Sequence, residues 1–288
     1  MESRSKGIFY ILLAAFSFTV MNLFVRLAGE IPSIQKSFFR NLISLLVTLS
    51  VLRKEHLSFR IARRDWPHLL GRSAIGTVGI VCNFYAVDHM LLSDATMLNK
   101  MSPFFTVIFS YVLLKEPITM TQIFLFLSAF AGSLLILKPS SSGFASPGAL
   151  IALLGGLCAG WAYAELRVLG KHKVDKSLII FVFSLLSTLA ALPVLLFDYT
   201  PMSLRQFLLL IAAGVAATCG QFGVTVAYSC APASEISIFD YFQIIFSALA
   251  GYLCFGQLAD HLSFLGYFII CGAAVLMAAC GRKNSRAL

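Results

Sequence analysis

The chain has 288 residues, 59% of them hydrophobic and only 12% charged, with a mean hydropathy of +0.87. Soluble domains average roughly 45–50% apolar and 25% charged residues, so a water-soluble globule is excluded. The formal charge of +9 sits in the connections between apolar runs, where it answers the anionic face of a bilayer and gives no evidence for nucleic acid.

Ten apolar runs approach the ~20 residues needed to cross a ~30 Å hydrocarbon core. Their approximate bounds are 7–26, 34–52, 67–87, 95–114, 119–137, 148–167, 177–196, 204–228, 233–256 and 262–280. Period-2 alternation is missing and the runs exceed strand length, so the reading is all-α, with backbone hydrogen bonds satisfied inside each span. Chemistry is confined to the bundle, because the longest hydrophilic connection runs only from Arg53 to Trp66.

Taken in order, span one follows Arg4 and Lys6 but lacks an A-x-A-like cleavage site, which makes it a retained helix; Asn22 and Arg26 lie near its end. Span two carries Arg40 and Asn41 about seven residues in, and span three carries Asn83 and Tyr85. Span four presents Asn99, Ser102, Thr106 and Ser110 at helical spacing, with Lys100 one step around and Pro103 as a kink site. In span six, Gly155, Gly156, Ala159 and Gly160 read, like Ala14 and Ala15 of span one, as packing seams and not binding groups, and Trp161, Tyr163 and Glu165 follow. Pro193 is a second kink site in span seven, and Gln221 lies in span eight. Span nine repeats the polar stripe as Asp240, Gln243, Ser247 and Gly251, with Tyr241 beside it.

An ionised side chain near mid-helix costs roughly 2.5–3.5 kcal/mol or more in lipid, so both stripes are expected to face an interior cavity. Lys100 is the first choice as partner for Asp240 and Arg40 the second. Asp240 and Glu165 are the coupling or gating candidates, and a proton is the one coupling ion they suggest. Arg40, Lys100, Asn99, Gln243, Tyr241, Asn22, Tyr163, Trp161, Asn83, Tyr85, Gln221 and Asp240 form the expected substrate-binding set. The seven cysteines read as small hydrophobic residues without a C-x-x-C, and the five histidines lack ligand spacing, so neither metal nor cofactor is expected.

Shifted by 141 residues, the sequence partly overlays itself. Val25-Arg26-x-x-Gly29 falls on Leu166-Arg167-x-x-Gly170, Ser93-Asp94 on Ser234-Glu235, Tyr111 on Tyr252, and Asn99 on Asp240. The chain therefore divides into five-helix halves, 1–140 and 146–288, and an odd number of spans inverts the second half relative to the first. With the N-terminus cytoplasmic, sixteen Lys and Arg residues, Arg72 among them, fall on the inner side and four on the outer. Both termini are then cytoplasmic. Inverted repeats are the common architecture of secondary transporters, with the substrate near the midplane where the halves meet.

Asn99-Lys100-Met101-Ser102-Pro103, followed by Tyr111-x-x-Leu114-Lys115-Glu116, resembles the fourth-helix signature of the drug/metabolite transporter superfamily, EamA type. Phe239-Asp240-Tyr241 through Ala250-Gly251-Tyr252-Leu253-Cys254-Phe255-Gly256 resembles its ninth-helix counterpart, and Phe39-Arg40-Asn41-Leu42 fits the second helix. The resemblance implies a central cavity lined by both halves and opened alternately to either side. It also implies an acid after helices four and nine; Glu116 is present, but the second half has Gln257. The expected activity is transport of a small polar metabolite across a bacterial cytoplasmic membrane by alternating access, with proton coupling and exchange as the two routes. An amino acid or amino-acid-derived zwitterion fits the mixed charges, with a nucleotide- or purine-like metabolite or a drug as the alternative. A channel is separated from a carrier by flux measurements, and an intramembrane enzyme lacks a nucleophile–base pair. Monomer and homodimer fit the sequence equally.

Overall fold

The structure, a computed structural model, describes residues 2–55, 61–89, 92–138, 147–256 and 260–284. Among these residues every regular element is helical. The long helices are α1 (Glu2–Leu27), α2 (Ser33–Lys54), α3 (Trp66–His89), α6 (Met120–Leu137), α7 (Pro147–Lys171), α8 (Lys176–Phe197), α9 (Leu204–Cys230) and α12 (His261–Asn284). Between α3 and α6 lie α4 (Leu92–Asn99) and α5 (Ser102–Leu114), and between α9 and α12 lie α10 (Ala233–Ile236), a 3-10 segment (Ser237–Tyr241) and α11 (Phe242–Phe255).

Among the described residues, eight segments are long and apolar enough to cross a membrane, including Thr96–Leu114 and Ala233–Phe255 taken whole. At 1.5 Å per residue, α2 and α3, with 22 and 24 residues, also reach across 30 Å. Polarity is distributed as lipid requires. Leu150, Phe124, Leu253 and Phe268 are exposed on the outside, whereas Ser44, Thr48, Ser73, Thr106 and Thr218 are buried between helices. Some buried hydroxyls return to the preceding turn, as Thr48 does to the Ser44 carbonyl at 2.7 Å and Thr106 to that of Ser102 at 2.8 Å, whereas those of Ser110, Ser184, Thr188 and Thr225 are buried without a partner among the described residues.

The 141-residue offset reappears in the packing. Helix α1 lies along α9, and its counterpart α7 lies along α3. Lys115 (φ 54°) and Gly256 (φ 65°), one offset apart, end α5 and α11 in the left-handed conformation that closes a helix. Four residues further on, Thr119 caps α6 and Asp260 accepts from the Ser263 amide at the start of α12.

Two expectations change. Spans four and nine are broken helices. Pro103 supplies no N–H to the carbonyls of Asn99 and Lys100, and the Phe104 amide turns to Met101 at 3.1 Å, so the chain restarts at Ser102. Span nine passes through 3-10 geometry over Ser237–Tyr241, which alters the direction of Asp240 relative to a continuous α-helical stripe. By contrast Pro193 lies inside an unbroken α8.

Candidate substrate site

The two breaks face each other. Because the Phe104 amide, the usual donor to the Lys100 carbonyl, turns to Met101 instead, the Tyr241 hydroxyl donates to that carbonyl at 3.1 Å. Lys100 Nζ in turn donates to Asp240 Oδ2 at 2.7 Å, to Gln243 Oε1 at 2.7 Å and to the Asp240 carbonyl at 3.3 Å. Lys100 and Tyr241 are equivalent by the repeat, so each half closes the backbone gap of the other. Lys100 and Asp240 are both buried, and removing either partner of such a pair strands the other charge. Helix α1 reaches the same place: Thr19 Oγ1 lies 3.4 Å from the Gln243 carbonyl and 3.4 Å from Ser247 Oγ.

Glycine brings α7 onto the first break. A Cβ at Gly156 would stand 2.8 Å from the Leu98 carbonyl, and one at Gly160 would stand 2.4 Å from Phe105 Cβ. That contact positions Tyr163, which stacks on Tyr228 with centroids 5.3 Å apart and lies within electrostatic reach of Asp240, Arg40 and Arg72. Arg40 does not pair with Asp240, which is taken by Lys100. Gln221 is buried on α9 and accepts from Arg72 Nη2 at 3.3 Å.

One turn along α7, Trp161 Nε1 donates to Glu165 Oε1 at 3.0 Å, and His68 Nδ1 lies 2.7 Å from Glu165 Oε2. Trp161 also meets the Phe109 ring edge-on at 4.8 Å. Glu165 is thus held at the end of the bundle where α7 finishes, apart from the Lys100 cluster. Asn99 is half-buried beside Gly156, with its backbone at that contact. Asn22 is exposed on α1 and Asn83 half-buried on α3, and neither makes a hydrogen bond to the cluster; Tyr85 is exposed on α3. Gln257 lies outside the described residues, as do the side chains of Ser93 and Asp94.

Three groups escaped the sequence reading. Arg72, assigned there to the inner rim, is buried in α3, where its guanidinium lies over the Phe183 ring at 4.2 Å. Its position inside the 67–87 run was the available signal. His68, the partner of Glu165, carried none. The third is Arg167, whose Nε donates to Glu116 Oε1 at 2.8 Å while Lys171 Nζ lies 3.0 Å from the same oxygen. No cluster of three or more His, Cys, Asp or Glu side chains able to hold a metal occurs among the described residues.

The model of the EamA-like transporter family matches residues 5–138 and again 146–279. The chain belongs to this family. It is 34% identical over 281 residues to the pseudopaline exporter CntI of Pseudomonas aeruginosa strain UCBPP-PA14, covering 96% of this chain and 98% of that one. A riboflavin transporter of Vibrio cholerae is 28% identical over 290 residues, covering 98% and 95%. A solved crystal structure with 16% identity superposes with a TM-score of 0.82 over 97% of this chain and 99% of its own, which shows the shared fold. This EamA-like protein is accordingly a multi-pass membrane transporter of small metabolites, and not an enzyme.

Proposed function

We propose that the protein is a secondary carrier in a bacterial cytoplasmic membrane, with halves 1–140 and 146–288 inverted and both termini cytoplasmic, moving an amino-acid-derived zwitterion by alternating access. The observation that carries this reading is the Lys100–Asp240 pair at 2.7 Å, one charge from each half, at the meeting of two broken helices. Broken helices leave backbone groups and charges free to meet a substrate at mid-depth. A zwitterion entering there exchanges one ion pair for two: its carboxylate meets Lys100 and its ammonium meets Asp240. Charge stays compensated throughout, which keeps the desolvation cost of the exchange low. On the return path the emptied site re-forms the Lys100–Asp240 pair, so its charge stays balanced.

The test starts from thermal-shift screening of the purified protein against a metabolite library, since a ligand of the folded state raises its apparent stability. Proteoliposomes are then assayed for saturable exchange of the stabilising compound. Asp240→Asn is expected to fold and to lose transport by about tenfold or more, equivalent to at least about 1.4 kcal/mol. Wild-type exchange rates in that variant would refute the assignment, and a non-saturating conductance would replace the carrier with a channel.

A further inference from the structure

We infer that the transported metabolite is an anion bearing at least two acidic groups, clamped between Arg40 of α2 and Arg72 of α3; this rests on the carrier reading above and narrows its substrate. The charges buried in the bundle mostly cancel in pairs. Lys100 meets Asp240, Arg167 meets Glu116, and Glu165 is held by His68 and Trp161. Arg40 and Arg72 are left over. They are 8% and 3% exposed, and the Nε atom of each is buried without a hydrogen-bond partner. Arg40 makes no hydrogen bond or ion pair among the described residues, and the one described hydrogen bond of Arg72 goes to the neutral Gln221 amide.

Helices α2 and α3 pack against one another and both guanidiniums are buried, so two unpaired cations share one interior. Two like charges out of water, with no acid between them, are a poor way to fasten helices. They are a good way to hold carboxylates, because each planar fork presents paired donors matched to an acid's two oxygens. Arg72 is already oriented for it. The Phe183 ring covers its guanidinium, and α3 has a glycine where the group lies, since a Cβ at Gly76 would stand 2.3 Å from Nη1. One acidic group would leave one arginine uncompensated. Two acidic groups neutralise both and leave the Lys100–Asp240 pair intact, and a further acid meets Lys100 where an amino group on the same molecule takes Asp240.

Thermal unfolding of the purified full-length chain tests this with glutamine, glutamate and citrate, which carry one, two and three carboxylates. Stabilisation should rise in that order for the wild type. It should be lost in Arg40→Gln and in Arg72→Gln and be kept in Arg205→Gln, an exposed control. Without ligand, both arginine variants should unfold at a higher temperature than the wild type, because each removes an uncompensated buried charge; a purely structural role predicts the opposite shift. Lower ligand-free unfolding temperatures in the two variants, equal ligand responses in variants and wild type, or no rise with carboxylate number would each overturn the clamp. If proteoliposomes still exchange a neutral or singly acidic metabolite, the carrier reading stands without it.

Discussion

Two ends of the bundle that the repeat makes equivalent are fastened differently. Where α7 and α9 finish, Arg167 is buried, its Nε donates to Glu116 at 2.8 Å, and its Nη1 reaches the Tyr228 carbonyl at 3.3 Å. Gly170 lets the helices close there, since a Cβ on it would lie 2.5 Å from Ser229 Cα. Its counterpart at the end of α1 is Arg26, which is exposed and rests on the Phe255 ring at 4.2 Å. Helices α7 and α9 pack together, while α1 and α3 show no comparable packing among the described residues. Hydrogen bonds to charged groups are worth about 1.5–3 kcal/mol, whereas an exposed cation–π contact is worth about 0.5–1 kcal/mol. A difference of one or two kcal/mol changes a two-state ratio by about 5–30-fold. An energy difference of this size would bias which end is shut in the alternating-access carrier proposed above.

The largest way to break this asymmetry is Glu116→Ala. It strands Arg167 in the interior and is expected to cost about 3–5 kcal/mol, seen as a lowered unfolding temperature and faster thiol labelling of Ser229→Cys. Adding Arg167→Gln should restore much of the stability while leaving position 229 open to reagent. Next comes Gly170→Val, which wedges the α7–α9 contact without touching a charge. Its expected cost is about 1–3 kcal/mol, with the same gain in labelling; unchanged labelling would show that closure does not depend on this contact. Gln257→Glu should sharpen the comparison by returning the acid that the 141-residue offset matches to Glu116, so that Arg26 could pair as its counterpart Arg167 does. A pair of this exposed kind adds about 0–1 kcal/mol, so labelling at 229 should rise modestly, and more at low salt than at high.

Smallest is the effect of acid on the cap of α12. Hydrogen bonds from Lys138 and Ser263 hold the Asp260 carboxyl well below the usual carboxylate range. Its folded-state affinity for protons is therefore lower than in the unfolded chain. The stabilisation is complete above the ordinary Asp value of about 4 and fades as pH falls below it. The wild type should unfold slightly above Asp260→Asn at pH 6, with the gap closing toward pH 3. A gap that persists in acid would assign the difference to packing.

The sequence pattern made the helical spans visible because each run had to be long and apolar, and it made the duplication visible because one offset preserved glycines, aromatics and charges together. It also paired Lys100 with Asp240, since few other ions lay deep enough to compensate either. The breaks at residues 100–101 and 237–241 were not legible as such: an apolar run reads alike whether its backbone is α or 3-10, and Pro103 indicates a disturbance without its extent. Arg72 was hidden by its closeness to the charged stretch at Arg63 and Arg64. The Glu116–Arg167 contact joins residues 51 positions apart, and only the approach of α5 to α7 creates it. Asn22 and Tyr85 show the converse, as polar character in a span marks a candidate without fixing which way the helix is turned.

The ion pair at the centre joins residues separated by 140 positions. At about 5–20 residues per second, the ribosome needs roughly 7–28 s after adding Lys100 before Asp240 exists. Until then the nascent first half carries an unneutralised ammonium worth about 2.5–3.5 kcal/mol against insertion. Its fourth segment must wait beside the translocon, or borrow a temporary counter-ion, until the ninth arrives. Assembly of the carrier is thus timed by synthesis of its second half, and a truncated product ending before α10 would be open to quality-control proteolysis.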